Sequence, residues 1–474
     1  MPDWMRRKII DLESMAPEHR LKRTLTWWHL IALGVGAIVG TGIYTLIGVG
    51  AGLAGPAVIL SFVVAGVVCA CTALAYAEVA TLIPASGSAY TYSYVALGEV
   101  IAWVVGWSLI LEYSLVVSAV AVGWSGYAVG FLQSLGVSLP HALTAGPHAG
   151  GIVNLPAVFI TGLVATMMTV GMRESATFNA VLVIIKIVAL GIFAAVALPH
   201  FDVAHFKPFA PYGFGSAEFG GAKHGVMAAA AIIFFAFYGF DAISTAAEEA
   251  KNPERDLPIG IIGSMVVCTA IYVVVAAAAV GAMPFRVFSG SPEPLAMIVR
   301  ELGSPQLAAA VAAAAVIALP TVLLGFLYGQ TRIFFVMARD GFLPMSLAKV
   351  NPKTGTPARI TIVTAILVAI LAGLVPLQEI AALANAGTLA AFVAVAVCLL
   401  VLRKRLPDAR RVYRAPLAWV VAPVAIVGCI YLFFSLPGLT RSFFFIWNAV
   451  GLAWYGASTL YKHRKAAQVD HEAN

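Results

Sequence analysis

Charge is scarce in this chain. Of its 474 residues 29 are Lys or Arg and 22 are Asp or Glu, 11% charged in all, against 61% hydrophobic and a mean hydropathy of +0.93. So little polar surface cannot keep a globule of this size in water, which excludes the soluble domain classes. Cysteine is equally sparse. Cys69, Cys71, Cys268, Cys398 and Cys429 all fall in apolar segments without the paired spacing of a zinc site, and they read as reduced packing residues. The chain has no glycine-rich phosphate-binding loop, which excludes an ATP-driven pump, and no filter-like sequence that would line a channel. His29, His141, His148, His200 and His205 are scattered, without the clustering that a metal centre or catalytic triad needs, so an enzyme is not expected. The polar first 26 residues contain no short apolar core with a cleavage site after it, so the first apolar segment is expected to act as its own insertion signal.

What the chain does contain is a succession of charge-poor segments, each long enough to cross a bilayer as a helix of about 20 residues. Twelve are expected, near 28-50, 56-82, 96-133, 152-172, 176-198, 224-249, 258-283, 304-337, 357-375, 379-402, 416-436 and 442-461. This predicts an all-α integral membrane protein with an N-terminal arm at 1-26, a twelve-helix unit at 27-462 and a tail at 463-474. Lys and Arg are distributed unevenly about these spans. Most of the 29 lie in the arm, in the even-numbered loops (Arg173, Lys251, Arg255, Arg332 to Arg359, Arg403 to Arg414) and in the tail. Only Lys207, Lys223, Arg286, Arg300 and Arg441 fall on the other face, which predicts that both termini are cytoplasmic. The net charge of +7 reflects this asymmetry and contact with anionic headgroups, not nucleic-acid binding. Alanine-rich runs such as Ala308 to Val316 read as helix-packing surfaces.

The first span carries an anomaly, "GVGAIVGTGIY" from Gly34 to Tyr44. Taken alone, Gly36-x-x-x-Gly40 serves equally as a helix-packing motif. The alternative is a discontinuous helix. Its second half would offer free N–H groups to an anion and its first half free carbonyls to a cation, a geometry suited to a zwitterion. Such breaks are tolerated only where they line a cavity, and inverted-repeat transporters carry two of them at matching places. A second candidate follows roughly five spans later, where Gly239 interrupts "FFAFYGFDAISTAAEEAKNPERDLP" (Phe234 to Pro258) just before Asp241, Glu248 and Glu249. Paired breaks fit a five-plus-five repeat, about 28-198 and 224-402, with trailing helices at about 416-461.

Together, "GVGAIVGTGIY", "AYAEVATLIPASGSAYTYSY" (Ala75 to Tyr94), "GWSLILEYSLVVSAVAVGWSGY" (Gly106 to Tyr127), "FYGFDAISTAAEEAKNPERDLP" and "LYGQTRIFFVMARDGFLP" (Leu327 to Pro344) resemble the cationic amino acid transporter branch of the amino acid-polyamine-organocation superfamily, from about Leu25 to the last span. The resemblance implies a leucine-transporter-type fold with spans 1 and 6 broken around a central site. By motif, the N–H groups of Gly40, Thr41 and Gly42 would hold a substrate carboxylate. The carbonyls of Ile38, Phe235 and Tyr238 would meet its ammonium, and Phe235 would close over it as the outer gate. Phe234, Phe235 and Phe237 serve equally as core packing. Pro320 departs from the pattern and is expected to kink span 8 beside the site. Related light chains attach to a glycoprotein through a cysteine in the loop after span 3. Gln133 to Gly151 has none, so no disulfide-linked partner is expected and the chain is read as a monomer, in a bacterial inner membrane.

Lys186 lies within the fifth span, where a charge is costly and usually marks function, although snorkelling of its ammonium to the surface is an alternative. The resemblance implies that it takes the place of a sodium ion beside the first broken helix, which points to proton coupling. Glu112 and Asp241 are the candidate carboxylates for that step, with Glu112 ranked first. Glu78 is the third carboxylate in contention, with a structural contact as its alternative, and Glu248, Glu249, Lys251 and Arg255 read as a solvated helix end, with a gating ion pair as the alternative. The side-chain pocket is expected around Ala119, Val120 and Leu319, with no carboxylate to pair a guanidinium or ammonium. The expected substrate is therefore a small neutral L-amino acid such as alanine, taken up with a proton, with arginine or lysine, or amino acid exchange, as the alternatives. No cofactor is expected.

Overall fold

The computed structural model describes residues 25–83, 87–170, 176–245, 250–344 and 358–472. Glu248, Glu249, Arg173 and most of the N-terminal arm lie outside this set. Helix is found in each expected segment. In chain order the helices are α1 (Trp27–Ile38), α2 (Thr41–Tyr44), α3 (Leu46–Ala54), α4 (Val58–Leu82), α5 (Ser88–Ala96), α6 (Glu99–Ser134), α7 (Leu155–Val170), α8 (Ala176–Ala197), α9 (Val226–Ile233), α10 (Phe240–Thr245) and α11 (Pro253–Ala282). They continue with α12 (Phe285–Phe288), α13 (Pro294–Glu301), α14 (Pro305–Ala318), α15 (Pro320–Arg339), α16 (Ala358–Leu374), α17 (Leu377–Arg405), α18 (Ala418–Ser435) and α19 (Gly438–Glu472). A short hairpin, β1 (Ala217–Phe219) with β2 (Ala222–His224), precedes α9.

Seven helical stretches among the described residues are long and apolar enough to cross a membrane, and four shorter apolar helices accompany them. Two of the four, Trp27–Ile38 and Val226–Phe237, are short because the chain breaks there. Apolar side chains stand exposed along the outer faces, among them Ile184 and Val188 on α8, Ile366 and Ile370 on α16, and Val427 and Phe434 on α18. In lipid a helix satisfies its own backbone and its apolar face needs no cover, so the chain is a multi-pass membrane protein. Local chemistry sets the helix ends. Pro253 opens α11 with Glu254 and Asp256 in its first turn, and Arg403, Lys404 and Arg405 occupy the last turn of α17, each complementing the helix dipole.

Inside, α6 packs along α15 and α17, and α11 lies along α1 and α4. Glu78 near the end of α4 clamps the loop between α17 and α18. Arg403 meets it in a bidentate pair at 2.9 and 2.5 Å, Arg411 stands at 3.1 Å, and the Ala415 N–H donates to it at 2.7 Å. At the other end, Arg300 donates to Glu293 at 2.8 Å, and the Glu293 carboxylate lies directly against Gly130 of α6, where no side chain could fit.

Candidate functional site

Both breaks form, and they face each other. α1 stops at Ile38, Val39 and Gly40 leave helical geometry, and α2 begins at Thr41. In the second, α9 tightens into a 3-10 turn over Phe234–Phe237, then Tyr238 extends and Gly239 turns with φ +113° before α10. The two segments touch through backbone. A Cβ on Gly42 would overlap Ala236, 2.5 Å from its Cβ, and a Cβ on Gly239 would lie 2.6 Å from the Ala37 Cβ and 2.9 Å from the Ile38 nitrogen. Glycine is therefore required at Gly239 twice over, by its positive φ and by the approach.

The other glycines of the first motif divide the two expected roles between them. Gly36 packs, since a Cβ there would lie 2.8 Å from Val183 of α8. That close approach lets Lys186, one turn further along α8, donate to the Gly36 carbonyl at 2.7 Å and to the Thr321 hydroxyl at 3.1 Å, fully buried and not snorkelling. At the break, Ile43 and Tyr44 donate to the Gly40 carbonyl, while no acceptor for the Gly40 N–H is found among the described residues. Thr41 and Gly42 head α2, where N–H groups have no partner within the helix. The Thr41 hydroxyl, buried, is also without a partner among the described residues.

Carbonyls freed by the breaks are met by side chains. Tyr272 of α11 donates to Ile38 at 2.7 Å. Asn385 of α17 donates to Ala231 at 2.6 Å and Ile232 at 2.9 Å, and accepts from the Tyr238 hydroxyl. Tyr272 and Asn385 were not among the sequence candidates, although an Asn alone within an apolar segment is a signal of this kind.

Between the breaks lies a cavity of about 10 Å³, lined by Gly40, Thr41, Gly42, Ile38, Phe235 and Tyr238, with Val116 and Val120 of α6 and Val322 and Phe326 of α15 as its apolar wall. That is room for about one water, so the site is closed in this structure. Of the expected residues, Ala119 and Leu319 are buried but lie outside this lining. Ala119 lies on the same face of α6 as Val116 and Val120, but its single methyl is short. Leu319 is the joint between α14 and α15, and the lining begins one turn later, at Val322. That joint has a plain cause. Pro320 has no N–H for the Val316 carbonyl, and the Trp124 indole of α6 takes it instead at 2.8 Å.

Asp241 accepts from the Tyr113 hydroxyl and from the Gly239 N–H, both at 3.2 Å. Glu112 is buried against α17, close to Gly387, and its Oε2 has no hydrogen-bond partner among the described residues. The contacts named for Lys186 are with α1 and α15. No group of His, Cys, Asp and Glu suited to a metal is found among the described residues.

The arrangement places the N–H groups of the second half-helix and the carbonyls of the breaks beside an apolar wall, away from solvent. Known proteins place the chain in a family. The chain is 45% identical over 470 residues to the branched-chain amino acid permease BcaP of Bacillus subtilis, covering 98% of each chain. It is 40% identical over 459 residues to the methylthioribose transporter of the same organism, covering 96% of this chain and 97% of the other. To the vacuolar cationic amino acid transporter 4 of Arabidopsis thaliana it is 36% identical over 416 residues, 86% of this chain and 68% of the other. The amino acid permease family matches residues 25–455, the whole stretch that holds both breaks and the cavity between them, and the chain is a member of that family, a transporter and not an enzyme.

Proposed function

We propose that the protein is a secondary active transporter that takes up neutral aliphatic L-amino acids with protons by alternating access. The observation that carries the reading is the apolar cavity between two facing helix breaks. The N–H groups of Gly40, Thr41 and Gly42 and the Thr41 hydroxyl bind the carboxylate. The carbonyls of Ile38, Phe235 and Tyr238 bind the ammonium, and Phe235 is the outer gate. Val116, Val120, Val322 and Phe326 contain no carboxylate, which favours neutral side chains over arginine or lysine. The BcaP relative extends the expected range from alanine to leucine, isoleucine and valine. A substrate of that size needs the walls to draw apart, since about 10 Å³ admits none of them.

Lys186 carries the coupled proton. Its ammonium holds the Gly36 carbonyl in the last turn before the break, so loss of that proton loosens α1 from α8. Glu112 and Asp241 are the carboxylates that relay it. In this reading twelve crossings form a five-plus-five inverted repeat with two trailing helices, both termini face the cytoplasm across a bacterial inner membrane, and the protein works as a monomer.

The test is uptake into proteoliposomes of labelled alanine, leucine and arginine, with and without an inward proton gradient. Leucine and alanine should be concentrated only with the gradient, and Lys186→Met should still bind leucine but no longer concentrate it. Uptake driven by sodium and indifferent to protons, or full coupling in Lys186→Met, refutes the coupling assignment, and preferred arginine uptake refutes the substrate assignment. The methylthioribose transporter relative motivates a second arm. Methylthioribose has no carboxylate, so if it is the preferred substrate the role given to Gly40, Thr41 and Gly42 is wrong.

A further inference from the structure

A second concavity, far larger than the first, opens on the outer surface between α4 and α18. It holds about 590 Å³ and is lined by Val64 and Val68 of α4 and by Pro423, Val427, Tyr431 and Leu432 of α18, among others. Its floor and slope have local causes. Gly428 brings α18 hard against α4, since a Cβ there would lie 2.7 Å from Val68. Pro423, inside α18, removes one helix hydrogen bond and loosens the rod at that point. Its volume falls within the range of about 300–1,000 Å³ typical of small-molecule sites. On a lipid-facing surface, however, it takes what the bilayer supplies.

One end of the groove is not apolar. Two residues beyond Leu432, the Phe434 carbonyl accepts from Lys223 Nζ at 2.6 Å, and the Arg441 guanidinium stands 5.8 Å from the Phe434 ring centre. Burial first, and then the neighbouring Arg441, lower the Lys223 ammonium from its ordinary value, so the two cations stand close enough to repel. Glu218, across the hairpin from Lys223, is the carboxylate that faces it. Among the described residues no ion pair closes on Lys223 or Arg441, and the buried Arg441 Nε finds no hydrogen-bond partner. An apolar trough ending at two adjacent cations, one with an unused donor, matches one occupant: an acyl chain joined to a phosphate.

The geometry points to a specific site for an anionic phospholipid, with its acyl chain along Val64, Val427 and Leu432 and its phosphate between Lys223 and Arg441. By the orientation proposed above the lipid belongs to the outer leaflet, but binding to the detergent-solubilised protein does not depend on that orientation.

The experiment is native mass spectrometry and thermal unfolding of the solubilised protein with added phosphatidylglycerol, phosphatidylcholine or inorganic phosphate. Wild type is expected to retain phosphatidylglycerol and melt higher with it than with the other two. Each of Lys223→Gln and Arg441→Gln should weaken retention about five-fold, the equivalent of about 1 kcal/mol per cation at an anionic lipid. The double variant should treat both lipids alike. Val427→Trp, which fills the groove from its exposed side and leaves the cations in place, should lose retention of phosphatidylglycerol. Equal stabilisation of wild type by both lipids, full retention in the double variant or in Val427→Trp, or the same shift with inorganic phosphate alone overturns the proposal.

Discussion

Gly239→Ala tests the joint between the two breaks with a single methyl. The added Cβ has no room, lying 2.6 Å from the Ala37 Cβ, 2.8 Å from the Ala37 carbonyl carbon and 2.9 Å from the Ile38 nitrogen. It also forces an alanine to φ +113°. Backbone strain of that kind costs about 1–3 kcal/mol and overpacking a further ~1–3 kcal/mol, against a whole-protein stability of about 5–15 kcal/mol. Even the lower sum, about 2 kcal/mol, reduces the population of the closed form roughly 30-fold if the cost falls on that form alone. The measurement is initial uptake by proteoliposomes alongside thermal unfolding. Gly325→Ala serves as the control, because nothing lies within 4 Å of a Cβ at that position. The expected outcome is uptake reduced at least ten-fold in Gly239→Ala and unchanged in Gly325→Ala. Adding Ala37→Gly to Gly239→Ala should recover part of the loss, since it removes one clash but leaves the strain and the backbone contacts. Wild-type uptake and melting in Gly239→Ala would show that the two segments do not meet as described.

Three further outcomes follow from contacts elsewhere. Trp124→Phe leaves the Val316 carbonyl unpaired and should cost about 1–3 kcal/mol, measured by thermal unfolding; Pro320→Ala in that background supplies the missing N–H and should restore most of it, and no restoration would refute the account of the joint. Glu78→Gln removes the anion under Arg403 and Arg411 and should cost about 3–5 kcal/mol, with faster proteolysis between residues 406 and 417; unchanged proteolysis would mean the clamp does not hold that loop. Burial raises the Glu293 carboxyl above 4.5, an effect opposed by Arg300. The folded state then holds this proton more tightly than the unfolded one, so the Glu293 contribution to stability is greatest below pH 4.5 and falls as pH rises through the raised value. Melting temperatures across that window should fall less in Glu293→Gln than in wild type, and parallel curves would discard the assignment.

Legibility in the sequence followed chemical contrast. Gly40, Thr41, Gly42 and Gly239 stood out because breakers in an apolar run need a reason, and they lie at the two breaks. Lys186 stood out as a charge inside a span, and its ammonium is buried on the Gly36 carbonyl. Val116, Val322 and Phe326 gave no such signal, because one apolar residue in a membrane helix resembles the next and only packing decides which face meets the cavity. Pro320 was legible as an interruption, but its effect on register was not: the freed carbonyl is claimed by Trp124, far away in sequence, and the lining begins one turn beyond Leu319. Helix is found in every segment where a span is expected, since hydropathy alone selects it in lipid, but α5, α12 and α13 lie between the expected spans, where no long apolar run announces them. Tyr272 and Asn385 serve carbonyls whose exposure depends on breaks that no local pattern around those two residues announces.

The contact between the two breaks is backbone on backbone, with Gly42 against Ala236 and Gly239 against Ala37. A joint made of main chain and two alanine methyls has little side chain to exchange. In the proposed mechanism, substitutions in the wall at Val116, Val120, Val322 or Phe326 therefore change what is carried and leave this joint in place. On that reading one mechanical unit accommodates different cargoes through changes confined to the wall.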